Sequence, residues 1–343
     1  MNRLKELDLL RGFAALNVVL FHYTTRFRQV HGHDFSVEYD WKYGHYGVEL
    51  FFVISGFVIF MTLQRIRNVN EFAFKRFLRL FPTYWICLII TLSITYSFHS
   101  KNYSLYEIVM NFTMIQGVFE VINIDGAYWS LLPELFFYVF MAFIYFIGWL
   151  GKVSTIAVVW LSLMILNQLD LLPFGEFFLN LKYGMFFLAG ILFYQIKFNH
   201  GDFKEHLLIA LCLITALWVH QTPGRVYVFI GIFALFYLFI YNHLGVISFP
   251  PLLFIGHISY PLYLLHQNIG FNLIRLLKLY IPNEFVVILI SISILLFIAW
   301  IVTRYLEKPI LNYIKSKSYR NAFLFKKAVK QPAGQETIAF NKP

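Results

Sequence analysis

Long apolar runs alternate with short polar connections along almost the whole chain. A helix of about 20 apolar residues is long enough to cross the hydrocarbon core of a bilayer. The pattern therefore predicts an all-α, polytopic integral membrane protein with about ten transmembrane helices. Their predicted positions are residues 7–25, 46–64, 79–98, 128–149, 153–170, 174–196, 205–221, 226–243, 252–273 and 284–304.

Composition and charge placement support this class. The 343 residues are 59% hydrophobic and only 13% charged, whereas soluble domains carry about 25% charged residues. The net charge is +10, but the basic residues lie beside the apolar runs rather than in one patch. Most Lys and Arg residues outside the runs fall in the termini and in alternate connections, which indicates that both termini are cytoplasmic. We therefore predict a multi-pass protein of the cell's inner (cytoplasmic) membrane that binds no nucleic acid.

The chain is predicted to form one integral membrane domain, residues 1–313, followed by a basic cytoplasmic tail, residues 314–343. Residues 310–330 have the pattern of a basic amphipathic helix, which suits an anionic inner leaflet. The two cysteines, Cys87 and Cys212, both lie inside apolar runs. Their positions match neither a disulfide framework nor a metal-ligand spacing, so no metal site is predicted.

Ionisable residues interrupt the first apolar run. Arg11 and His22 are eleven residues apart, which at about 100° per residue places both on one stripe of a helix. Asp8 lies three residues before Arg11, close enough to pair with it. Charged groups inside a membrane are costly and usually face a cavity or the bundle interior. The alternative is a signal anchor with a snorkelling Arg and an interfacial His.

Three later runs carry ionisable residues to about the depth of His22. Glu49 lies near the start of the second run, Glu134 one to two turns into the fourth, and His266 in the outer half of the ninth. A carboxylate beside an imidazole fixes its tautomer and raises its basicity, as a general base requires. Each residue keeps its own alternative: an interfacial carboxylate for Glu49, helix packing for Glu134 and a satisfied core histidine for His266.

A different cluster lies before and at the start of the third run. Arg76 and Arg79 are three residues apart and follow Lys75, Arg65 and Arg67. The positive-inside rule alone explains charges at this position. Arginine pairs also bind phosphate in a bidentate manner, so the second interpretation is a site for a phosphorylated cofactor arriving from the cytoplasm.

Six motifs in order resemble the acyltransferase-3 family of integral membrane acyltransferases, over about residues 5–313. They are Arg11-x10-His22, GVELFFVISGF at 47–57, Arg76-x-x-Arg79 before PTYW, WSLLPE at 129–134, SYPLYLLHQ at 259–267 and YLEKPI at 305–310. Two positions depart from the family pattern. Leu135 stands where a second acidic residue is more frequent, which weakens any claim of a paired carboxylate there, and Glu49 stands where Asp is also common.

The resemblance implies transfer of an acyl group, commonly acetyl, from cytoplasmic acyl-coenzyme A to a hydroxyl of a cell-surface or lipid-linked carbohydrate, such as an exopolysaccharide or lipopolysaccharide. The predicted catalytic residues are His22, as general base, Glu134 and Glu49. The predicted cofactor-binding residues are Arg76, Arg79 and Arg11. The predicted substrate-binding residues are Tyr263, His266 and Trp129. The bilayer and a carbohydrate acceptor are the predicted partners, while a homo-oligomer or polysaccharide assembly partners stay open.

Two rival functions use the same polar residues differently. Intramembrane Arg, His and Glu also mark the substrate or proton paths of a transporter or channel. No inverted repeat or pair of broken helices of the transporter kind is visible in the sequence. The second rival is a non-catalytic membrane subunit of a polysaccharide assembly system, in which these residues serve helix packing.

Overall fold

The computed structural model describes residues 4–99, 101–172, 179–199, 201–246, 249–314 and 316. Within these ranges every regular element is helical, which confirms the all-α prediction. Each predicted apolar run corresponds to a helix of at least sixteen residues. These helices are α1 Lys5–Phe21, α2 Gly47–Leu63, α3 Val69–Ser97, α4 Leu131–Phe146, α5 Val153–Gln168, α6 Gly184–Asn199, α7 Phe203–Val219, α8 Arg225–Ile240, α9 Pro250–Lys278 and α10 Glu284–Ile301.

Several of these helical segments have the length and composition of membrane spans. Among the described residues there are four: Val37–Leu63, Val69–Ser97, Gly126–Phe146 and Glu284–Ile314. Together they identify a multi-pass membrane protein. The full count of ten spans and the cytoplasmic position of both termini stay predictions. Most of the predicted tail helix at 310–330 lies outside the described residues. The start of the predicted run at 174–196 also lies outside them.

Local sequence signals set where several helices begin. The side chain of Asn68 accepts a hydrogen bond from the backbone N–H of Glu71 at 2.8 Å, at the start of α3. Asp202 and Glu205 form a reciprocal capping box at the start of α7. Asn283 caps α10 by accepting from the backbone N–H groups two and three residues later. Such caps satisfy amide groups that a helix start otherwise leaves unpaired.

Helices α1 and α9 pack closely, and glycines make the approach possible. A Cβ atom at Gly12 would lie 2.0 Å from the carbonyl oxygen of Leu252, and one at Gly256 would lie 1.8 Å from that of Asp8. Neither distance leaves room for a methyl group, so the two backbones touch directly. Small residues at such contacts are typical of helix packing in membranes.

The bundle has two distinct ends. One, the basic end, has Arg65, Arg79 and Lys308 around a common cavity with Asp8. The other, the loop end, carries the connections 32–46 and 101–125.

Helix α1 runs from the basic end at Asp8 to the loop end at His22. Helix α4 runs the opposite way, because the hydroxyl of Tyr145 near its end donates to the carbonyl of Ile66, beside Arg65, at 3.4 Å.

Candidate active site

His22 follows the last residue of α1, where the helix widens into a π-helical turn, His22–Arg26. Single π turns inside α-helices are frequent at functional sites. The Nδ1 atom of His22 lies 2.9 Å from the carbonyl oxygen of Val18 and 3.1 Å from Nε2 of His266. The two imidazole rings meet edge to face with 4.6 Å between their centroids. Two of the predicted site residues therefore form one histidine pair.

The partners of this pair determine where its protons lie when both rings are neutral. Nδ1 of His266 lies 2.7 Å from the carbonyl oxygen of Tyr263, and a carbonyl only accepts, so this nitrogen donates. Nε2 of His266 is then an acceptor, and Nδ1 of His22 donates to it and to Val18 O. A neutral imidazole carries one N–H group, so Nε2 of His22 retains its lone pair. This is the atom that can accept a proton.

His266 is fully buried and is held from two sides. The hydroxyl of Tyr23 donates to the carbonyl oxygen of His266 at 2.9 Å. The hydroxyl of Tyr263, one helical turn earlier, lies 2.7 Å from Oγ of Ser130 and donates to the carbonyl of Ala127 at 3.0 Å. Tyr263, a predicted substrate-binding residue, thus connects the histidine pair to the start of α4.

Glu134 belongs to a different group of contacts from the one predicted. Its Oε1 atom accepts hydrogen bonds from Oγ of Ser55 at 2.9 Å and from the hydroxyl of Tyr138 at 2.5 Å. The predicted carboxylate–imidazole contact with His22 is absent among the described hydrogen bonds. The reason is rotational: Glu134 and Tyr138 are four residues apart on the face of α4 that points at α2, while His22 pairs with α9.

Glu49 is buried, with 6% of its surface exposed. Its Oε2 atom has no hydrogen-bond partner in the described part of the chain. Glu49 lies close enough to Tyr263 to interact with it electrostatically. It therefore stands next to the contacts of the histidine pair without a direct bond to either ring.

All three arginines predicted to bind a cofactor line one cavity of about 300 Å³, together with Glu134 and Tyr263. Arg76 donates to Oγ1 of Thr62 at 3.3 Å, and its Nε atom is buried without a hydrogen-bond partner among the described residues. A buried, unpaired guanidinium N–H is a donor that an anionic ligand can satisfy.

The other two arginines are partly neutralised. Arg79 forms an ion pair with Glu307 at 3.5 Å, and its guanidinium lies 5.3 Å from the ring centre of Tyr260. Arg11 pairs with Asp8 at 3.7 Å, the pairing that the three-residue spacing predicted. Asp8 and Glu307 each form an ion pair with one of these two arginines, whereas Arg76 forms no ion pair within the described residues and shares the cavity wall with Glu134.

A second cavity of about 460 Å³ lies at the basic end and shares Arg11, Val58 and Arg79 with the first. Arg65 and Lys308 add positive charge to its wall. The two adjoining cavities lead from the basic end towards Glu134, past Arg11.

Trp129 lies apart from the other predicted substrate-binding residues, in a separate cavity at the loop end. Sequence reasoning also missed the buried carboxylate nearest the histidine pair's helix. Asp125 is fully buried and accepts from the backbone N–H of Ala127 at 2.9 Å and that of Asn268 at 2.9 Å. In the sequence, Asp125 before Gly126 resembles an ordinary exposed turn, so no local signal indicated that it joins the loop end to α9 beside His266.

Among the described residues, no group of three or more His, Cys, Asp or Glu side chains is arranged to hold a metal ion.

A family model described as an acyltransferase domain matches residues 4–304. The chain belongs to the acyltransferase-3 family. Two relatives agree with this assignment. One is "Putative acetyltransferase ORF330" of Acidianus two-tailed virus, 23% identical over 273 residues, with 75% of this chain and 80% of that protein covered. The other is peptidoglycan O-acetyltransferase OatA of Listeria monocytogenes, 24% identical over 382 residues, with 94% of this chain but only 58% of that protein covered.

No solved structure matches the acyltransferase-3 chain significantly. The family and the names of both relatives identify the protein as an acyltransferase of groups other than aminoacyl groups.

Proposed function

We propose that this acyltransferase moves an acetyl group from cytoplasmic acetyl-coenzyme A to a hydroxyl of a cell-surface or lipid-linked carbohydrate, with His22 as the general base. The observation that carries the proposal is the unprotonated Nε2 atom of neutral His22, in a bundle whose basic end opens into an arginine-lined interior.

The hydrogen bonds of His22 support its assignment as the general base. The carbonyl oxygen of Val18 and the Nε2 atom of His266 both accept a hydrogen bond from the Nδ1–H group of His22. The other nitrogen is therefore the one available to a substrate hydroxyl. A positioned general base contributes about 10²–10⁴-fold to a rate.

The charge and shape of the two cavities support acetyl-coenzyme A as the donor. Coenzyme A carries phosphates at one end and a thioester at the end of a long, thin arm. The basic-end cavity, with Arg65, Arg79 and Lys308 in its wall, matches the phosphates, since arginine recognises phosphate by paired N–H donors. The adjoining 300 Å³ cavity matches the arm and carries the unpaired Nε atom of Arg76.

The transfer step follows from these two sites. The acceptor hydroxyl attacks the thioester carbonyl carbon while Nε2 of His22 takes the hydroxyl proton. The C–S bond then breaks, and coenzyme A leaves as a thiolate that regains the proton from the imidazolium. Arg11 lines both cavities, so its guanidinium lies on the donor's route from the basic end and can bind the phosphates of coenzyme A. Glu134 fixes the hydroxyls of Ser55 and Tyr138 in the same wall.

The topology in this proposal has ten spans in an inner membrane, with the basic end and both termini in the cytoplasm. The acceptor then reaches His22 from the loop end, on the opposite side from the donor. Because OatA is named a peptidoglycan O-acetyltransferase, peptidoglycan is the first acceptor to test.

The test replaces His22 by Gln and follows label from radioactive acetyl-coenzyme A into glycan, using membranes matched for protein amount. We expect transfer to fall at least about 100-fold, as loss of a general base requires. The matched control is His206→Gln. Nδ1 of His206 lies 3.0 Å from the hydroxyl of Tyr237, and His206 lines neither of the two cavities.

Wild-type transfer by the His22 variant would remove this residue from the mechanism. Absence of label transfer by the unaltered protein to every glycan tested would contradict the proposed donor or acceptor class. The presence of transfer excludes a transporter or a scaffold as the sole role.

A further inference from the structure

We propose that the cavity around Trp129 is a subsite for a sugar unit of the acceptor other than the one that reacts. The inference rests on the proposed function in that it takes the acceptor to be a glycan. The cavity has a volume of about 410 Å³ at the loop end, within the size range of ligand pockets. Three aromatic residues and three side-chain amides line it, with Lys182 beside them: Trp129, Phe136, Tyr183, Gln116, Asn123 and Asn180.

A buried amide provides the first argument. Gln116 has only 2% of its surface exposed. Its Nε2 atom donates to Oδ1 of Asn123 at 2.6 Å, but its Oε1 atom has no hydrogen-bond partner in the described ranges. A buried acceptor without a donor destabilises the folded state, because burial removes the hydrogen bond that water would supply. A ligand hydroxyl entering the cavity supplies the missing donor.

The neighbouring amide is held rigidly. Asn180 adopts a left-handed backbone conformation with a φ angle of 54°, which Asn tolerates better than most residues. Its Nδ2 atom donates to the carbonyl oxygen of Pro133 at 2.9 Å. The wall of the cavity is therefore preorganised, which lowers the entropy cost of binding.

Aromatic surface provides the second argument. Trp129 is 39% exposed, and its ring centroid lies 5.4 Å from that of Tyr183 with the planes tilted by 42°. Exposed indole next to a phenol ring offers a flat apolar surface with polar edges, suited to the C–H face of a sugar ring. The cavity wall contains three neutral amide side chains and one lysine. Because amides both donate and accept hydrogen bonds, this composition favours a neutral, hydroxyl-rich ligand over an anion.

The position of the cavity gives the subsite its role. Residues at the start of α4 divide between two cavities: Ser130 and Glu134 line the arginine cavity, whereas Trp129 and Pro133 line this one. Ser130 also contacts Tyr263 at 2.7 Å, one turn from His266. A glycan bound over Trp129 therefore has its next units within reach of the histidine pair.

The test compares acceptors of different length with the full protein in nanodiscs. Label transfer from acetyl-coenzyme A is measured to a monosaccharide and to tetrasaccharides of β-1,4-linked N-acetylglucosamine, glucose and galactose. We expect Trp129→Ala and Gln116→Leu each to lower the ratio of kcat/KM for the best tetrasaccharide to that for its monosaccharide by about ten-fold, through KM. Trp129→Phe retains a ring and should recover most of that ratio.

The matched control is Trp149→Ala, because Trp149 is 41% exposed and lies at the opposite end of α4. An unchanged ratio in the Trp129 and Gln116 variants would overturn the subsite, and so would an equal loss for both acceptor lengths. Binding of fluorescent tetrasaccharides without donor separates this proposal from the proposed function. Binding that weakens ten-fold in Trp129→Ala supports the subsite even if no transfer occurs, whereas no binding of any tetrasaccharide to the unaltered protein refutes it.

Discussion

The contact between α1 and α9 permits a sharp test, because one methyl group should disturb both the fold and the histidine pair. A Cβ atom at Gly256 would lie 1.8 Å from the carbonyl oxygen of Asp8 and 2.6 Å from its carbonyl carbon. Both are backbone atoms, so no side chain can rotate away. Ordinary contact begins at 3.4 Å, and the two helices must therefore separate by about 1.6 Å in Gly256→Ala.

The expected cost follows from that displacement. Overpacking of a close contact costs typically about 1–3 kcal/mol. The same shift, carried along two parallel helices, lengthens the 3.1 Å bond between His22 and His266 beyond hydrogen-bonding distance. We expect Gly256→Ala to lower the Tm of the purified protein by several degrees and to reduce acetyl transfer.

The control is Gly231→Ala in α8, where a Cβ atom meets nothing within 4 Å. Alanine is favoured over glycine in a helix by about 1 kcal/mol, so this variant should be neutral or slightly stabilised. Thermal unfolding in detergent, followed by intrinsic fluorescence, measures both. If Gly256→Ala unfolds at the same temperature as Gly231→Ala and transfers acetyl normally, the direct backbone contact is refuted.

Three further substitutions probe the interior. His266→Phe removes the ring acceptor for His22, and we expect kcat to fall by about ten-fold with little change in KM; an unaltered kcat would contradict the proton arrangement. Arg79→Ala should raise the KM for acetyl-coenzyme A by about ten-fold at low salt and by less at high salt, because salt screens phosphate attraction; exposed Lys204→Ala should show no such effect. Tyr138→Phe removes a hydrogen bond to the half-buried carboxylate of Glu134, worth about 1.5–3 kcal/mol, and should lower the Tm in thermal unfolding.

The two-ended interior gives the proposed transfer a direction. Positive charge gathers around the basic-end cavity through Arg65 and Lys308, whereas aromatic and amide side chains gather at the loop end around Trp129. An anionic donor and a neutral acceptor are then drawn to opposite ends. In the proposed reaction the thioester of the donor and the hydroxyl of the acceptor meet at His22.

The helices themselves were predictable from the sequence. Apolar run length and helical periodicity are local properties, so each predicted run corresponds to a helix in the described structure. The Asp8–Arg11 pair was predictable for the same reason, since three residues along a helix bring two side chains together. The cluster of Arg76 and Arg79 at the start of one run likewise placed both side chains at one end of the bundle.

Contacts between helices depended on the tertiary structure. Sequence depth placed His22 and Glu134 at one level, but α4 is rotated so that Glu134 bonds to Ser55 and Tyr138. The partner of His22 is instead His266, because the glycines of α1 and α9 bring those two backbones into contact. A residue number determines height along a helix, whereas the side chain across the gap depends on the rotation and packing of both helices. The contact partner of each side chain is therefore fixed only by the assembled helix bundle.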